Sequence, residues 1–478
     1  MNRELKVETL FYGVGKYSSI LLTLITTSIL SHILSPEEYG IVAVTSVFTA
    51  FFNVVADMGF GTAVIQNKTL TDDEINDIFS FSVYISIGLG LLFALLGFPI
   101  AVFYQNSVYR EICGLLGISV FFYALNIIPS GIMMKNKYFK LVGKRLICCT
   151  LISGAVTIGL ACAGWSYYAL VAQSILYAAM VAAWNLWHTK LKFCFRIRMA
   201  SIRKVRSYSL YQFAYSLVNY GENNFDNLLI SKALGSESLA YYDKGYRLMM
   251  YPVQNLTYVI TPVIHPVLSE HQNDRRYIYE AYQKIVRVLS LLGVFISAVC
   301  FWNSREIILL FFGNQWEISV PIFRVLSLAV WPQLVVSSAR SIYQSTGNTR
   351  LLFISSVLRF AIVAVLVTAG ALTGELLYVS CAITFSMYLR FFLDYYILVK
   401  RNFGYSFWHF LAGFRFEAMI FALMGAVITV LRSISMENLL LSLLCKGCIL
   451  LIVFLTSSTI FGQLNPLIEL LKKKRGRG

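Results

Sequence analysis

Four polar side chains in the middle of the chain have the spacing of a single helix face. They stand at i, i+3, i+4 and i+7, so a helix would present them along one stripe. A charged side chain at the centre of a bilayer costs roughly 2.5–3.5 kcal/mol on insertion scales, so such groups turn towards protein or a wet cavity. The pattern therefore predicts part of a polar pathway through a membrane protein. The stripe comprises Asn219, Glu222, Asn223 and Asp226.

The segment that follows adds cations to the same region. Lys244 and Arg247 are three residues apart, and Asp243 precedes Arg247 by four residues, which is the spacing of a local ion pair on a helix. Counted from the predicted outer helix ends, Asp226 and Arg247 lie at similar depth, so adjacent helices could present a carboxylate and a guanidinium to one cavity. The alternative is an interhelical ion pair between these two side chains that only fixes packing.

Other ionisable residues inside apolar segments are further candidates. Asp57 lies beside Gly59 and Gly61, and small residues let helices approach closely. Asp57 is therefore either a cavity acid or a hydrogen-bond acceptor at a packing site. Arg390 and Asp394 are four residues apart, which favours pairing or snorkelling over function. The remaining candidate cations are Lys16, Arg340 and Arg359.

The elements that must position these residues are membrane-spanning helices. Of the 478 residues, 58% are hydrophobic and only 13% are charged, whereas soluble domains carry roughly 25% charged residues. The sequence contains about fourteen apolar segments, and most have the roughly 17–25 residues that a spanning helix needs. The predicted spans are 11–34, 41–65, 78–103, 112–133, 146–163, 167–189, 208–234, 239–268, 285–303, 319–343, 351–372, 376–399, 412–432 and 438–462.

Lysine and arginine predict the orientation of these spans. If the N-terminus lies inside, 28 lysines and arginines fall in the predicted inner loops and termini, and three fall in the outer loops. Because basic residues accumulate on the cytoplasmic side, both termini are predicted to be cytoplasmic. The net charge of +16 is explained by topology, so no nucleic-acid partner is expected. The longest inner loop, 189–207, is expected to lie along the anionic inner leaflet.

The two halves of the chain resemble each other. The segments 31–37 and 231–237 match at an offset of 200 residues, and each occupies the first helix-to-helix turn of its half. This predicts an all-α polytopic membrane protein with two pseudo-symmetric six-helix lobes around a central cavity, followed by helices 13 and 14. The predicted parts are an N-terminal lobe (1–189), a basic cytoplasmic linker (190–207), a C-terminal lobe (208–400), and helices 13 and 14 with a basic tail (401–478).

Cysteine and histidine provide no sign of a metal centre. The nine cysteines are scattered singly through apolar segments and predict no disulfide framework. Cys445 and Cys448 have the spacing of a redox or metal motif, but they stand in an apolar run without partner ligands. The five histidines are dispersed. Neither a metal nor a cofactor is expected.

Several motifs resemble those of one transporter family. The chain is similar to the polysaccharide transport, or Wzx-type, flippases of the multidrug/oligosaccharidyl-lipid/polysaccharide exporter superfamily. The resemblance extends from about residue 9 to residue 350, although Ser231 and Ala240 stand where the family often has glycine. The motifs are 34–40 (LSPEEYG), 57–66 (DMGFGTAVIQ), 226–235 (DNLLISKALG), 239–248 (LAYYDKGYRL), 251–252 (YP), 266–269 (PVLS) and 312–316 (FGNQW).

The resemblance implies a non-enzymatic flippase of the bacterial inner membrane. Such a protein moves undecaprenyl-diphosphate-linked oligosaccharide repeats outward by alternating access, for surface polysaccharides such as O-antigen, exopolysaccharide or capsule. Membrane lipid and a polysaccharide polymerase are the implied partners. The cations Lys16, Lys244, Arg247, Arg340 and Arg359 would hold the diphosphate, while Asp57 and the stripe would bind sugar or a coupling cation.

Two alternatives remain open on sequence grounds. A multidrug exporter of the same superfamily would share the fold, but its cavity is expected to carry fewer cations. A membrane glycosyltransferase or polymerase usually needs a sizeable outer loop with catalytic acids or a metal. The longest predicted outer loop, 303–319, is too short for that role.

Overall fold

The computed structural model confirms that the chain is all-helical. It describes residues 3–67, 69–195, 198–269, 275–339, 342, 349–430 and 438–463, and no strand occurs among them. A 3₁₀ turn covers Asn314–Trp316 and a π-helical turn covers Tyr396–Asn402. The α-helices are α1 (Arg3–Ile33), α2 (Pro36–Asp57), α3 (Phe60–Gln66), α4 (Asp72–Tyr104), α5 (Val108–Leu125), α6 (Ile127–Lys135), α7 (Phe139–Cys162), α8 (Tyr167–Thr189), α9 (Met199–Ala233), α10 (Ser236–Ser269), α11 (Arg275–Trp302), α12 (Ser304–Phe312), α13 (Ser319–Ser327), α14 (Val330–Ser337), α15 (Thr349–Ala371), α16 (Leu376–Tyr395), α17 (Phe407–Ala412), α18 (Arg415–Val430) and α19 (Leu439–Ile460).

The chain divides into two compact units, Met1–Leu228 and Leu229–Gly478. In the first unit α4 packs along α5, and α1 packs along α7. In the second unit α15 packs along α16, and α11 contacts both α14 and α18. The boundary between the units falls within α9, and the predicted division into six-helix lobes with a linker at 190–207 stays a prediction.

Most of the predicted spans coincide with helices that are long and apolar enough to cross a membrane. Among the described residues there are eleven such helices, or twelve if α13 and α14, bent by 46° at a short break, form one span. The chain is therefore a polytopic membrane protein. The predicted segments 208–234 and 239–268 lie in α9 and α10, which are not among the apolar helices. The total of fourteen spans stays a prediction.

Two helices of the first unit begin with the same reciprocal cap. The Ser35 hydroxyl accepts a hydrogen bond from the Glu38 N–H (3.3 Å), while the Ser35 N–H donates to the Glu38 carboxylate (2.7 Å). Thr71 and Glu74 repeat this arrangement at the start of α4. Each cap satisfies N–H groups that have no partner within the helix, and Pro36 in the first turn has no N–H to satisfy. These short motifs set where α2 and α4 begin.

Glycines bring pairs of helices in the first unit to backbone contact. A Cβ atom added at Gly117 of α5 would lie 2.6 Å from the carbonyl oxygen of Gly90 in α4. A Cβ atom added at Gly143 of α7 would lie 2.7 Å from the carbonyl oxygen of Phe11 in α1. Since real Cβ atoms do not approach backbone so closely, these positions need glycine for the helices to pack as they do.

Candidate functional site

The polar stripe lies on α9, as its spacing predicted. The carboxylates of Glu222 and Asp226 are buried, each residue being 6% exposed, whereas Asn219 is half-buried and Asn223 is exposed. The Asn223 side chain donates to the Asn219 carbonyl at 2.6 Å. The stripe therefore consists of two buried acids and two more accessible amides on one helix.

Tyr220 fixes this part of α9 against α2 within the first unit. Its hydroxyl donates to the Val47 carbonyl at 2.8 Å, and its ring lies 5.5 Å from the Phe51 ring in an edge-to-face contact. The hydrogen bond and the aromatic contact both restrict rotation of the helix about its axis. The contacts of Tyr220 with α2 therefore determine which way the stripe on α9 faces.

Arg247 forms the local ion pair that its spacing predicted. Its Nε donates to both carboxylate oxygens of Asp243, at 2.8 and 2.6 Å. The Arg247 side chain is 60% exposed and that of Asp243 is 21% exposed. Asp226 belongs to the first unit and Arg247 to the second, and the predicted sharing of one cavity by these two residues stays a prediction.

Lys244 occupies a different environment from Arg247, although only three residues separate them. Lys244 is 4% exposed, and its ammonium lies 4.9 Å from the centroid of the Phe312 ring and 4.8 Å from that of Trp316. Aromatic faces attract cations, so these rings stabilise the ammonium inside the second unit. Lys244 is therefore an interior cation, whereas Arg247 lies on an exposed face of α10.

Arg359 is buried and paired with an acid. Its Nη1 lies 3.0 Å from Oδ2 of Asp394, and its Nη2 donates to the Ser356 hydroxyl at 2.8 Å. Arg359 is 8% exposed and Asp394 is fully buried. The predicted local pairing of Arg390 with Asp394 stays a prediction, and the structure places Arg359 of α15 against the same carboxylate. The charge of Arg359 is thus neutralised inside the second unit.

Asp57 lies at the break between α2 and α3. Met58 and Gly59 have positive φ values of 39° and 75°, and the Asp57 carboxylate accepts a hydrogen bond from the backbone of Gly61. A Cβ atom at Gly131 of α6 would lie 3.0 Å from the Gly61 carbonyl oxygen. Of the two interpretations offered above, this geometry matches a hydrogen-bond acceptor at a glycine packing site.

Two predicted cations remain, Lys16 and Arg340. Lys16 is half-buried on α1. It follows Gly15, where an added Cβ would lie 2.5 Å from the Gly143 Cα, so it stands beside the closest approach of α1 and α7. Arg340 lies outside the described residues.

Arg145 was not among the predicted site residues, because it was counted with the basic residues of a predicted inner loop. Arg145 is 8% exposed, and its Nη1 donates to the Asn185 side chain at 2.7 Å. Asn185 in turn donates to the Asn126 side chain at 2.7 Å, and the Arg145 Nε is buried without a hydrogen-bond partner. No carboxylate among the described residues pairs with Arg145. Its position in the second turn of α7, which begins at Phe139, was the signal that could have identified it.

Acidic residues at the start of α4 hold the basic linker. The buried Asp77 carboxylate accepts from the Arg198 Nε (2.9 Å) and from the Ser201 hydroxyl (2.7 Å). Lys204 pairs with Glu74 one turn away. The hydrogen bond to Asp77 raises the pKa of the Arg198 guanidinium above its ordinary value. The linker is therefore attached to α4 by charge, an interaction that no local spacing indicated.

Comparison with known proteins identifies the family. A family model described as "Polysaccharide biosynthesis protein" matches residues 29–321, and the chain belongs to this family. The matched segment contains the motifs within 34–66 and 226–316 on which the predicted resemblance to Wzx-type flippases depends.

Two relatives and one solved structure are similar to this chain. An "Uncharacterized membrane protein in cps region" of Klebsiella pneumoniae is 24% identical over 72% of this chain and 71% of its own. The "Lipopolysaccharide biosynthesis protein WzxC" of Escherichia coli strain K12 is 20% identical over 81% of this chain and 79% of its own. The structure of "Lipid II flippase MurJ, inward closed conformation" has a TM-score of 0.75 at 15% identity, covering 96% of this chain and 100% of that one. At this identity the structural match shows a shared fold.

Proposed function

We propose that the chain is a flippase that moves undecaprenyl-diphosphate-linked oligosaccharide repeats outward across the bacterial inner membrane by alternating access. One observation carries the proposal. The longest helices that the structure describes, α9 with 35 residues and α10 with 34, lack the apolar character of the other long helices. Both lie within the segment that matches the family. Each is long enough to cross a hydrocarbon core of roughly 30 Å.

We assign α9 and α10 to the seventh and eighth of fourteen spans, with both termini cytoplasmic. In this arrangement the helices of 1–189 and 208–400 form two lobes around a central cavity, and 401–478 adds the last two spans. The polar composition of α9 and α10 is then the lining of the cavity, because buried polar groups need partners that lipid does not provide.

Each group of polar residues suits one part of a lipid-linked oligosaccharide. A diphosphate requires cations, and the planar guanidinium of Arg247 can bind phosphate oxygens in pairs while Asp243 orients it through Nε. Lys244, buried one turn earlier on α10, adds positive charge. Sugar hydroxyls require acceptors and amides, which the stripe on α9 provides. Its two acids would alternatively hold a coupling cation.

The remaining predicted residues receive weaker roles in the proposal. Lys16 and Arg340 would contribute further positive charge along the path, and Arg145 would add a buried cation in the first unit. Arg359 and Asp57 already have hydrogen-bond partners, so we assign them mainly to packing. A polysaccharide polymerase would receive the translocated repeat.

Replacement of Arg247 tests the assignment. In a strain lacking the chain, Arg247→Ala should insert at normal abundance but reduce surface polysaccharide about tenfold or more, because charge-assisted hydrogen bonds contribute about 1.5–3 kcal/mol. Lipid-linked repeats should accumulate in the inner leaflet. The matched control is Arg276→Ala, which removes an equally local and more exposed pair with Glu280. Normal export by abundant Arg247→Ala protein would remove Arg247 from the site.

A charge exchange separates contact with substrate from helix stabilisation. If the Asp243–Arg247 pair only supports α10, the double variant Asp243→Arg/Arg247→Asp should restore export. If Arg247 contacts diphosphate, the double variant should be abundant yet inactive.

The strain that lacks the chain tests the flippase assignment itself. If the lipid-linked repeat fails to form at all in that strain, the defect lies in synthesis and the flippase assignment is contradicted. Dye-efflux measurements in the same cells would reveal a drug exporter.

A further inference from the structure

A cavity in the second unit has polar groups for which the proposed transport has no use. It measures about 390 Å³ and lies between α11, the short helix α17, the start of α18 and the residues that follow α19. Cavities of roughly 300–1,000 Å³ are typical of sites for small ligands. The polar side chains that line it are Gln283, Arg287, His409, Arg415 and Gln463.

The lining combines positive charge with neutral hydrogen-bond donors and contains no carboxylate among the described residues. Arg287 and Arg415 are both exposed, and neither forms an ion pair with a described residue. Glu417, in the first turn of α18, is buried and does not line the cavity, although its carboxylate interacts electrostatically with Arg287. A site with two guanidiniums, an imidazole and two amides selects an anion.

Aromatic side chains form the rest of the wall and orient one of the cations. Phe410 and Phe414 are buried members of the core of the second unit. The Arg415 guanidinium lies 4.6 Å from the centroid of the Phe416 ring, a cation–π contact that restricts its position. The cavity is therefore partly apolar as well as cationic, so it can accept a ligand with both an anionic and an apolar part.

The surroundings of the cavity are those of a membrane–water interface. Trp408 of α17 is 75% exposed, and Tyr396 and Tyr405 nearby in sequence are 41% and 38% exposed. Tryptophan and tyrosine concentrate at the level of lipid headgroups. Lys400 and Arg401 in the π-helical turn are exposed as well. The predicted topology places this segment on the cytoplasmic side, where anionic lipids and free phosphates are both present.

We propose that this cavity is a binding site for a phosphate-bearing anion, separate from the transport path. A phosphate has the charge and the oxygen geometry that paired guanidiniums bind best. Basic pockets between membrane helices on the cytoplasmic side bind anionic headgroups. The shared chemistry is a phosphate group, supplied either by an anionic phospholipid of the inner leaflet or by a small soluble phosphate.

Lipid retention by the purified full-length protein tests the site. Native mass spectrometry would compare bound phosphatidylglycerol with bound phosphatidylcholine for the unmodified chain and for Arg287→Gln/Arg415→Gln. The unmodified chain should retain phosphatidylglycerol preferentially, and the double variant should lose that preference by about tenfold or more. The matched control is Lys284→Gln/Arg401→Gln, which removes the same charge from exposed residues of the same region that do not line the cavity. This control should keep the preference.

Competition with glycerol 1-phosphate identifies the source of the phosphate. If it displaces phosphatidylglycerol from the unmodified chain, the site recognises the phosphate group alone. If it does not, the acyl part contributes and the ligand is a phospholipid. Equal retention of both lipids by the unmodified chain, or equal loss in both double variants, would overturn the proposal. Unchanged melting temperatures of the variants without added lipid would show that they are folded.

Discussion

At the scale of single residues, several buried charges among the described residues are paired. Asp394 is fully buried against Arg359, and Glu306 accepts hydrogen bonds from Lys446 and Ser442. Removing one partner of a buried pair leaves an uncompensated charge, whereas removing both can be nearly neutral. Arg145 differs from these residues, because the side-chain amide of Asn185 accepts its hydrogen bond and no described carboxylate pairs with it.

The Arg359–Asp394 pair offers a direct test of the difference between removing one partner of a buried ion pair and removing both. Arg359→Met should lower the free energy of unfolding by about 3–5 kcal/mol, because the Asp394 carboxylate stays buried without its partner. The double variant Arg359→Met/Asp394→Leu should recover most of that loss. Unfolding in detergent, followed by tryptophan fluorescence, would measure both.

An exposed ion pair provides the control for that experiment. Arg305 lies 3.6 Å from Glu317, and both side chains are more than half exposed. Arg305→Met should therefore change stability by less than about 1 kcal/mol. Equal losses at Arg305 and Arg359 would mean that burial of the ion pair has no special energetic role.

At the scale of helices, close packing in the first unit depends on glycine at particular turns. Gly117 and Gly114 stand on the same helix, α5, three residues apart. Gly117 faces the backbone of α4, whereas an added Cβ at Gly114 would meet nothing within 4 Å. The two positions therefore share helix propensity but differ in helix contact.

Alanine at each position separates these two effects. Gly117→Ala should reduce the amount of folded protein and its melting temperature, because the new methyl group must push α4 and α5 apart. Gly114→Ala should leave both unchanged or slightly raise stability, since alanine favours the helix by up to about 1 kcal/mol. Size-exclusion profiles and thermal unfolding of the detergent-solubilised protein would compare them. An unchanged folded yield and melting temperature for Gly117→Ala would mean that α4 and α5 do not pack so closely.

At the scale of the whole molecule, the proposed direction of transport depends on orientation in the membrane. The asymmetry of basic residues predicts that Lys140, Arg198 and Gly478 face the cytoplasm. Glu37, Glu237 and Asn314 should face outward. Lys140 and the three outer positions are exposed, so a labelling reagent can reach a cysteine placed at any of them.

Single-cysteine labelling in a background cleared of the nine native cysteines tests the orientation. An impermeant maleimide added to intact cells should label cysteines at positions 37, 237 and 314. A cysteine at position 140 should react only after the membrane is permeabilised. Strong labelling at position 140 in intact cells would contradict the predicted topology and the proposed direction of transport.

The features that the sequence by itself determined are those that depend on near neighbours along the chain. Hydropathy located eleven of the predicted spans, or twelve if α13 and α14 form one span, since each span is a local property. The polar stripe and the cations that follow it stood out for the same reason. The Asp243–Arg247 pair followed from i, i+4 spacing on one helix. Motifs within 34–66 and 226–316 identified the family that the match to residues 29–321 confirms.

Only the tertiary structure decided which distant groups meet. Arg359 pairs with Asp394 across 35 residues, and Arg145 bonds to Asn185 across 40. Lys244 lies against Phe312 and Trp316, although its spacing from Arg247 predicted a shared role. Such contacts depend on which helices are adjacent and how each is rotated. Those variables are set by packing of whole surfaces, including glycine contacts, and the pattern along any single helix does not contain them.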